Sequence, residues 1–452
     1  MAYGSKYDMT QGPLLGKMVT FALPLMASGV LQLLFNAADT AVVGRFTGPE
    51  ALAAVGSNGA LVNLIVTLFM GLSVGTNVLT AQYLGSSRYK DVEETVHTSI
   101  VSSALFGVIL IFLGMVFSHP LLKLMGTPDN VINLSQLYLR IFFLGMPSLM
   151  IYNYGSAILR AVGDTRHPLV FMTISGVINV VLNLILVIVF KMGVAGVAIA
   201  TVISETVSAI LVVRLLMKTD EIWRFSFKEA RITGSKLLAM TKIGLPAGLQ
   251  GASFSISNIL IQSSINSFGS AVMAGNSAAA NIEGFCYVAM DSFAQASISF
   301  TGQNYGAKQY ARIDKILVYT LILGTASALI FGLPAYFFGG TLLKIFSTDA
   351  EVIQYGLLRL GIICTMQFMS CWMSTPGNVC RAIGHSLVPM VITITCICVF
   401  RVIWIFTVFQ AHRSLKVLYW SYPITWLLAA VTGMVYYLYI RKKTLRPVQE
   451  AS

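Results

Sequence analysis

Acids, amides and one arginine lie where apolar sequence should exclude them. Asp39 falls inside FALPLMASGVLQLLFNAADTAVVG, residues 21–44, with Arg45 just beyond its end. A carboxylate at membrane depth costs roughly 3 kcal/mol, so such groups are rarely idle. Burial favours the protonated form of a carboxyl group and an adjacent cation favours the ionised one. A group of this kind can therefore hold a proton or a sodium ion in turn. The competing reading places Asp39 near a helix end, about one turn from Gly44, where it reaches water. Asn179 and Asn183 stand four apart, on one helix face. Their oxygens can ligate a cation, and their amides can equally serve as interhelical glue. Thr201 precedes Glu205 by four residues. A threonine in a span commonly bonds its own helix backbone, and Glu205 would support whatever Thr201 touches. Glu283 and Asp291 are eight apart and fall near one face of another apolar stretch. They could form a patch for a cationic compound or a second proton site. Arg401 lies well inside a further stretch and is expected to neutralise an acid, because unpaired buried charge is costly.

The elements that must carry these residues follow from composition. The chain has 452 residues, 56% hydrophobic and 11% charged, and its mean hydropathy is +0.77. Soluble domains carry about 25% charged residues, so a polytopic membrane protein is expected. Twelve apolar spans are predicted, roughly 15–43, 52–80, 96–118, 131–157, 168–190, 194–217, 240–265, 276–302, 316–338, 352–377, 388–410 and 418–440. Their Gly, Pro and small polar residues suit helices that pack on one another or line a cavity. The first residues, MAYGSKYDMTQGP, are polar and show no cleavable signal pattern.

The net charge of +12 is explained by topology rather than by nucleic acid, because the basic residues flank apolar runs. One side carries Lys6, Lys17, Arg88, Lys90, Arg160, Arg166, the basic loop from Arg214 to Lys242, Lys308, Arg312, Lys315, Arg381 and Arg441 to Arg446. The other carries only Arg45, Lys123, Lys191, Lys344, Arg413 and Lys416. The positive-inside rule puts the first side, with both termini, in the cytoplasm. The six cysteines have no metal-site spacing and read as small core residues, Cys396-x-Cys398 being a weak exception.

The two halves repeat. LRAVGDTRHP (159–168) matches CRAIGHSLVP (380–389), and AQYLGS (81–86) matches GQNYGA (302–307), both at an offset of 221. Pro24 and Asn36 match Pro246 and Asn258 at 222. Six spans per half make this a parallel repeat, with an N-terminal lobe at 1–217, a cytoplasmic linker at 218–239 and a C-terminal lobe at 240–452. Two-lobed bundles of this kind place a substrate cavity between the lobes, and Asn36 is a candidate to line it. The repeat also isolates asymmetry. Asp39 aligns with Ile261, and Asn179 and Asn183 align with Phe400 and Trp404. A polar group present in one half only looks like a site built onto a scaffold.

These features together resemble the multidrug and toxic compound extrusion (MATE) transporters over essentially the whole chain. The matching residues are Pro24, Asp39-Thr40 and Gly44-Arg45 around the first span, Gln82 and Gly85 after the second, and RAVGDTRHP before the fifth. Asn179 and Asn183 within the fifth, GVAGVAIATVIS opening the sixth and GQNYGA after the eighth complete the set. The resemblance implies an antiporter that exports organic, often cationic or amphipathic compounds in exchange for H⁺ or Na⁺. It maps the N-lobe coupling site onto Asp39, Asn179, Asn183 and Thr201, whose oxygens would supply the ligands of Na⁺. Some members have a second Asp in place of Asn183, and an amide cannot ionise. The branch with a coupling Glu on the seventh span fits poorly, because GLQGASFSIS follows Pro246 without an acid. The branch with an N-lobe Asp site is closer.

Other classes fit less well. A lipid-linked precursor flippase of similar architecture would want a large cationic cavity, and Arg401 alone is expected to lie deep. An intramembrane enzyme would want His, Ser or metal constellations in the spans, yet His97, His119, His167, His385 and His412 all fall at or near loops. A passive channel does not need a single coupling acid. No Walker A sequence is present, so no nucleotide chemistry is expected. The expectation is a monomeric carrier in the cytoplasmic membrane. Its partners would be small organic substrates and membrane lipid, with no nucleic acid and no cofactor beyond the coupling ion.

Overall fold

A computed structural model of the chain describes residues 8–125 and 127–445. Each predicted span is helical. In order these are α1 (Leu14–Phe46), α2 (Pro49–Gly85), α3 (Tyr89–Leu124), α4 (Asp129–Leu144 and Met146–Ala161), α5 (Arg166–Asn183, running on as the π-helical Leu184–Val189) and α6 (Gly193–Lys218). The second half continues with α7 (Gly234–Asn266), α8 (Ser270–Gly306), α9 (Tyr310–Phe337) and α10 (Ala350–Met366 and Phe368–Ala382). It ends with α11 (Leu387–Thr393, the π-helical Ile394–Val399 and Phe400–Phe406) and α12 (Leu415–Ile440). Among the described residues eight helices are individually long and apolar enough to cross a bilayer, and two bent pairs raise this to ten. The helices α7 and α8 complete the twelve; they are as long but richer in Ser, Asn, Gln and Gly. No strand occurs among the described residues. Large apolar side chains such as Phe112, Val116, Ile330 and Val435 stand exposed, as a lipid-facing surface requires. The chain is an all-α, multi-pass membrane protein.

The bends recur with the sequence repeat. The two halves of α4 meet at 47° beside Gly145, and those of α10 at 44° beside Gln367. The repeated RAVGD and RAIGH segments end α4 and α10 in turns, with Gly163 at φ 98° and Gly384 at φ 96°. That left-handed backbone favours glycine at a helix end. Asp164 then caps α5, accepting from the backbone N–H groups of Arg166 and His167 at 3.1 Å each.

The described chain forms two compact units, Ala27–Gly248 and Met9–Met26 with Leu249 onward. Both α1 and α7 therefore change unit along their length, each two residues after a proline, Pro24 or Pro246. By packing, the start of α7 belongs to the first unit and the start of α1 to the second. Physical reasons are visible within each unit. In the first, a Cβ on Gly71 or Gly75 would stand 2.1 Å from the backbone of Gly248 or Met240, so α2 and α7 touch through facing small residues at four-residue spacing. In the second, Met18, Phe21 and Ala22 pack against Phe293, Ala296, Phe300 and Ile316. The GQNYGA motif holds the start of that segment. Gln303 accepts from the Met9 N–H at 3.1 Å and Asn304 donates to the Met9 carbonyl at 3.1 Å.

Candidate functional site

The first unit brings together the polar residues singled out in the sequence. Asn179 and Asn183 lie on one face of α5, and Gly176 lies on the same face. The Phe35 ring of α1 fills the space above Gly176, where a Cβ would stand 1.8 Å from it. This contact draws α1 onto α5 one turn before Asp39, so that Asp39 meets Asn183. The Asn183 Nδ2 donates to Asp39 Oδ1 and, at 3.1 Å, to Asn179 Oδ1. The Asn179 Nδ2 in turn donates to Thr201 Oγ1 of α6 at 3.4 Å. Thr201 itself donates to the Val197 carbonyl at 3.1 Å, the helix-backbone bond expected of a threonine in a span. One chain of hydrogen bonds thus runs from α1 through α5 to α6.

The chain leaves oxygens over. Asn183 is 1% exposed and its Oδ1 accepts no hydrogen bond. A buried carbonyl oxygen without a donor is costly unless something positive occupies it. It sits on the amide that already holds Asp39, so a carboxylate and an unused carbonyl are joined at one residue. Glu205 supplies a second buried oxygen without a donor, Oε2, against Gly145 at the bend of α4. Tyr138, on the first half of α4, lies within electrostatic reach of both Asp39 and Glu205. The α-helix gives way to a π-helix immediately after Asn183. Such wide turns are frequent at functional sites. These donors suit a proton or a hard cation that prefers oxygen ligands. No group of three or more His, Cys, Asp or Glu residues that could hold a transition metal occurs among the described residues.

Other expected residues fall elsewhere. Asn36 is exposed on α1, where its carbonyl accepts from Thr40 at 2.9 Å. Glu283 and Asp291 have separate hydrogen-bond partners. Glu283 of α8 accepts from Arg359 of α10 at 3.0 and 2.7 Å, while Asp291 accepts from Gln295 of its own helix at 3.3 Å. The expectation that Arg401 neutralises an acid is corrected. Its guanidinium donates to Asn258 Oδ1 at 3.1 Å and Thr425 Oγ1 at 3.3 Å and stacks 4.3 Å from the Tyr422 ring centroid. It forms no ion pair among the described residues, because Arg359 has taken Glu283. Arg401 is also not the lone deep arginine, since Arg359 is 6% exposed. Sequence reasoning missed Arg359. The usable signal was a single basic residue inside the span 352–377, with an acid two spans earlier. The five buried cysteines and the half-buried Cys398 are free thiols in helices, as their spacing suggested.

Comparison with known proteins agrees with this architecture. The MatE family profile matches twice, over residues 24–185 and 246–407. Each boundary of the second match lies 222 residues after its counterpart, the offset of Pro24 and Pro246. The chain is 28% identical over 437 residues to the probable multidrug resistance protein YoeA of Bacillus subtilis, covering 94% of each. It is 27% identical over 441 residues to the probable multidrug resistance protein YpnP of the same organism, covering 97% of this chain and 98% of the relative. Among solved structures, an outward-facing multidrug resistance MATE family transporter of the MOP superfamily superposes with a TM-score of 0.91. It is 23% identical, and the match covers 99% of this chain and 100% of the other. That likeness shows a shared fold of twelve helices in two lobes. The two matches span more than half of the sequence, and the chain belongs to the MATE family, a family of membrane transporters rather than enzymes.

Proposed function

We propose that this protein is a secondary antiporter that exports organic, often cationic or amphipathic compounds in exchange for H⁺ or Na⁺. The coupling ion binds at Asp39, Asn179, Asn183 and Thr201. Access alternates by rocking of the two lobes around a central cavity. One observation carries the reading: Asp39 is hydrogen-bonded to an amide whose own oxygen is buried and has no donor. A proton on Asp39 or a sodium ion between the two oxygens would each complete the group. Relatives with nearly full-length overlap are named for multidrug resistance, which supports organic compounds as the cargo. The fit to the branch with an N-lobe Asp site rests on Asp39 and on the lack of an acid after Pro246. The protein works as a monomer in the cytoplasmic membrane, in contact with its lipid and with both termini inside.

The test is export from proteoliposomes under an imposed H⁺ or Na⁺ gradient. Asp39→Asn should lower gradient-driven export at least roughly tenfold while leaving the protein folded. Export that survives the substitution sinks the assignment. Thermal stability in NaCl against KCl then distinguishes the ions, since only a sodium site is stabilised by the first and loses that response in Asp39→Asn.

A further inference from the structure

Among the described residues, the second unit contains a buried positive charge that forms no ion pair. Arg401 is 1% exposed. Its Nε and Nη1 are taken by Thr425 and Asn258, and its Nη2 has no acceptor. The charged groups within its electrostatic reach are Glu283 and Arg359. Those two are bonded to each other at 2.7 Å and cancel, so one carboxylate serves two guanidiniums. Both guanidiniums lie over one ring, that of Tyr422, at 4.3 Å for Arg401 and 5.6 Å for Arg359. A ring face offsets part of a cation's desolvation but cannot neutralise it. A second donor without an acceptor flanks the same ring. Trp426 is 3% exposed and meets Tyr422 edge-on at 5.9 Å, and its indole Nε1 bonds to nothing. Two buried N–H donors and one uncompensated positive charge therefore gather around Tyr422, in a helix bundle that must fit into lipid.

We infer that Arg401, with Trp426, binds a compact monovalent anion of chloride size inside the C-terminal lobe. The ion accepts from Arg401 Nη2 and Trp426 Nε1 and cancels the excess charge. An acid group on a carried compound would share this chemistry. The near-complete burial of Arg401 selects the small free ion over a group attached to a larger molecule. A bound water would satisfy the donors but leave the charge, which a low-dielectric interior penalises. The site is separate from the Asp39 cluster, and the inference does not depend on the identity of the coupling ion.

The experiment uses the purified full-length protein in detergent, without substrate, in potassium chloride against potassium gluconate at equal ionic strength. Chloride should raise the melting temperature saturably, by about 2–4 °C, and bromide should do the same. The response should vanish in Arg401→Met and weaken in Trp426→Phe, which keeps the ring and removes the N–H. Anomalous diffraction from a bromide-soaked crystal should show one peak within hydrogen-bond reach of Arg401. Equal melting temperatures in the two salts overturn the inference, as does a chloride response that persists in Arg401→Met. If that variant cannot be purified, an unweakened response in Trp426→Phe or a missing bromide peak does so. A response confined to an added carboxylate dye overturns the choice of the free ion. None of these outcomes touches the export assay of Asp39→Asn.

Discussion

The two lobes descend from one pattern and spend it differently. In the first unit, Asp39, Asn179, Asn183, Thr201 and Glu205 occupy one neighbourhood of polar side chains. In the second, the positions 222 residues on from Asp39 and 221 on from the others hold Ile261, Phe400, Trp404, Tyr422 and Trp426. Ile261 is fully buried in an apolar cluster with Tyr422 and Trp426, and Trp404 packs against it. Phe400 and Trp404 stack at 6.0 Å. The same backbone frame thus holds a polar network in one lobe and an aromatic core in the other. The charge differs as well: the neutral Tyr138 in the first unit corresponds to the cationic Arg359 in the second. The second lobe keeps the fold with Ile261 at the position equivalent to Asp39, and the proposed coupling role rests on that asymmetry.

The comparison breaks most sharply by exchanging residues between equivalent positions. Ile261→Asp puts a carboxylate into a largely apolar cluster and should destabilise by about 4 kcal/mol, the Arg401 guanidinium over the cluster's Tyr422 offsetting only part of the desolvation. Asp39→Ile should leave the protein folded and remove coupled export. Denaturation of both variants checks the pair, and equal tolerance at the two positions would show that the lobes are not differently built.

The next effect is at Arg359. Glu283→Gln leaves that guanidinium buried without a carboxylate and should destabilise by about 3 kcal/mol. The double variant with Arg359→Gln should recover part of the loss. A Glu283→Gln protein as stable as the parent would mean that Asn276 and Tyr419, both hydrogen-bonded within this cluster, suffice alone.

A smaller effect concerns helix approach. Gly176→Ala drives a methyl group into the Phe35 ring and should cost about 2 kcal/mol. It should also weaken ion binding, since the same contact positions Asp39. Adding Phe35→Ala should relieve the overlap, and a double-mutant cycle in melting temperature reads the coupling. The smallest expected effect is at Thr201, whose bond to Asn179 is long. Thr201→Val should weaken apparent ion affinity by roughly fivefold, equivalent to about 1 kcal/mol. A loss as large as that of Asp39→Asn would make Thr201 a principal ligand.

Much of this was legible without coordinates. The apolar runs marked all twelve helices, and the matched offsets marked the repeat that the two family matches reproduce. Asn179 and Asn183 were readable as a pair because four residues make about one helical turn. Other features were not readable. The expected acid partner for Arg401 failed because charge complementarity names compatible partners but not which pair forms. Two arginines competed for Glu283, and packing gave it to Arg359. The exchange of the first segments of α1 and α7 was equally hidden. Small residues such as Gly71, Gly75, Gly244 and Gly248 read as flexible or as packing sites without indicating which helix approaches.

The sequence by itself determined the solvent, the spans and the asymmetry of the repeat, because transfer into lipid depends on local composition and the repeat is a property of the string. Only the tertiary structure decided which polar groups meet. Asp39 and Asn183 are 144 positions apart, and their contact depends on Phe35 seating against Gly176, a fit of shape that neither residue type announces. The same holds for the unpaired charge of Arg401, which became visible only once Glu283 was seen to be occupied.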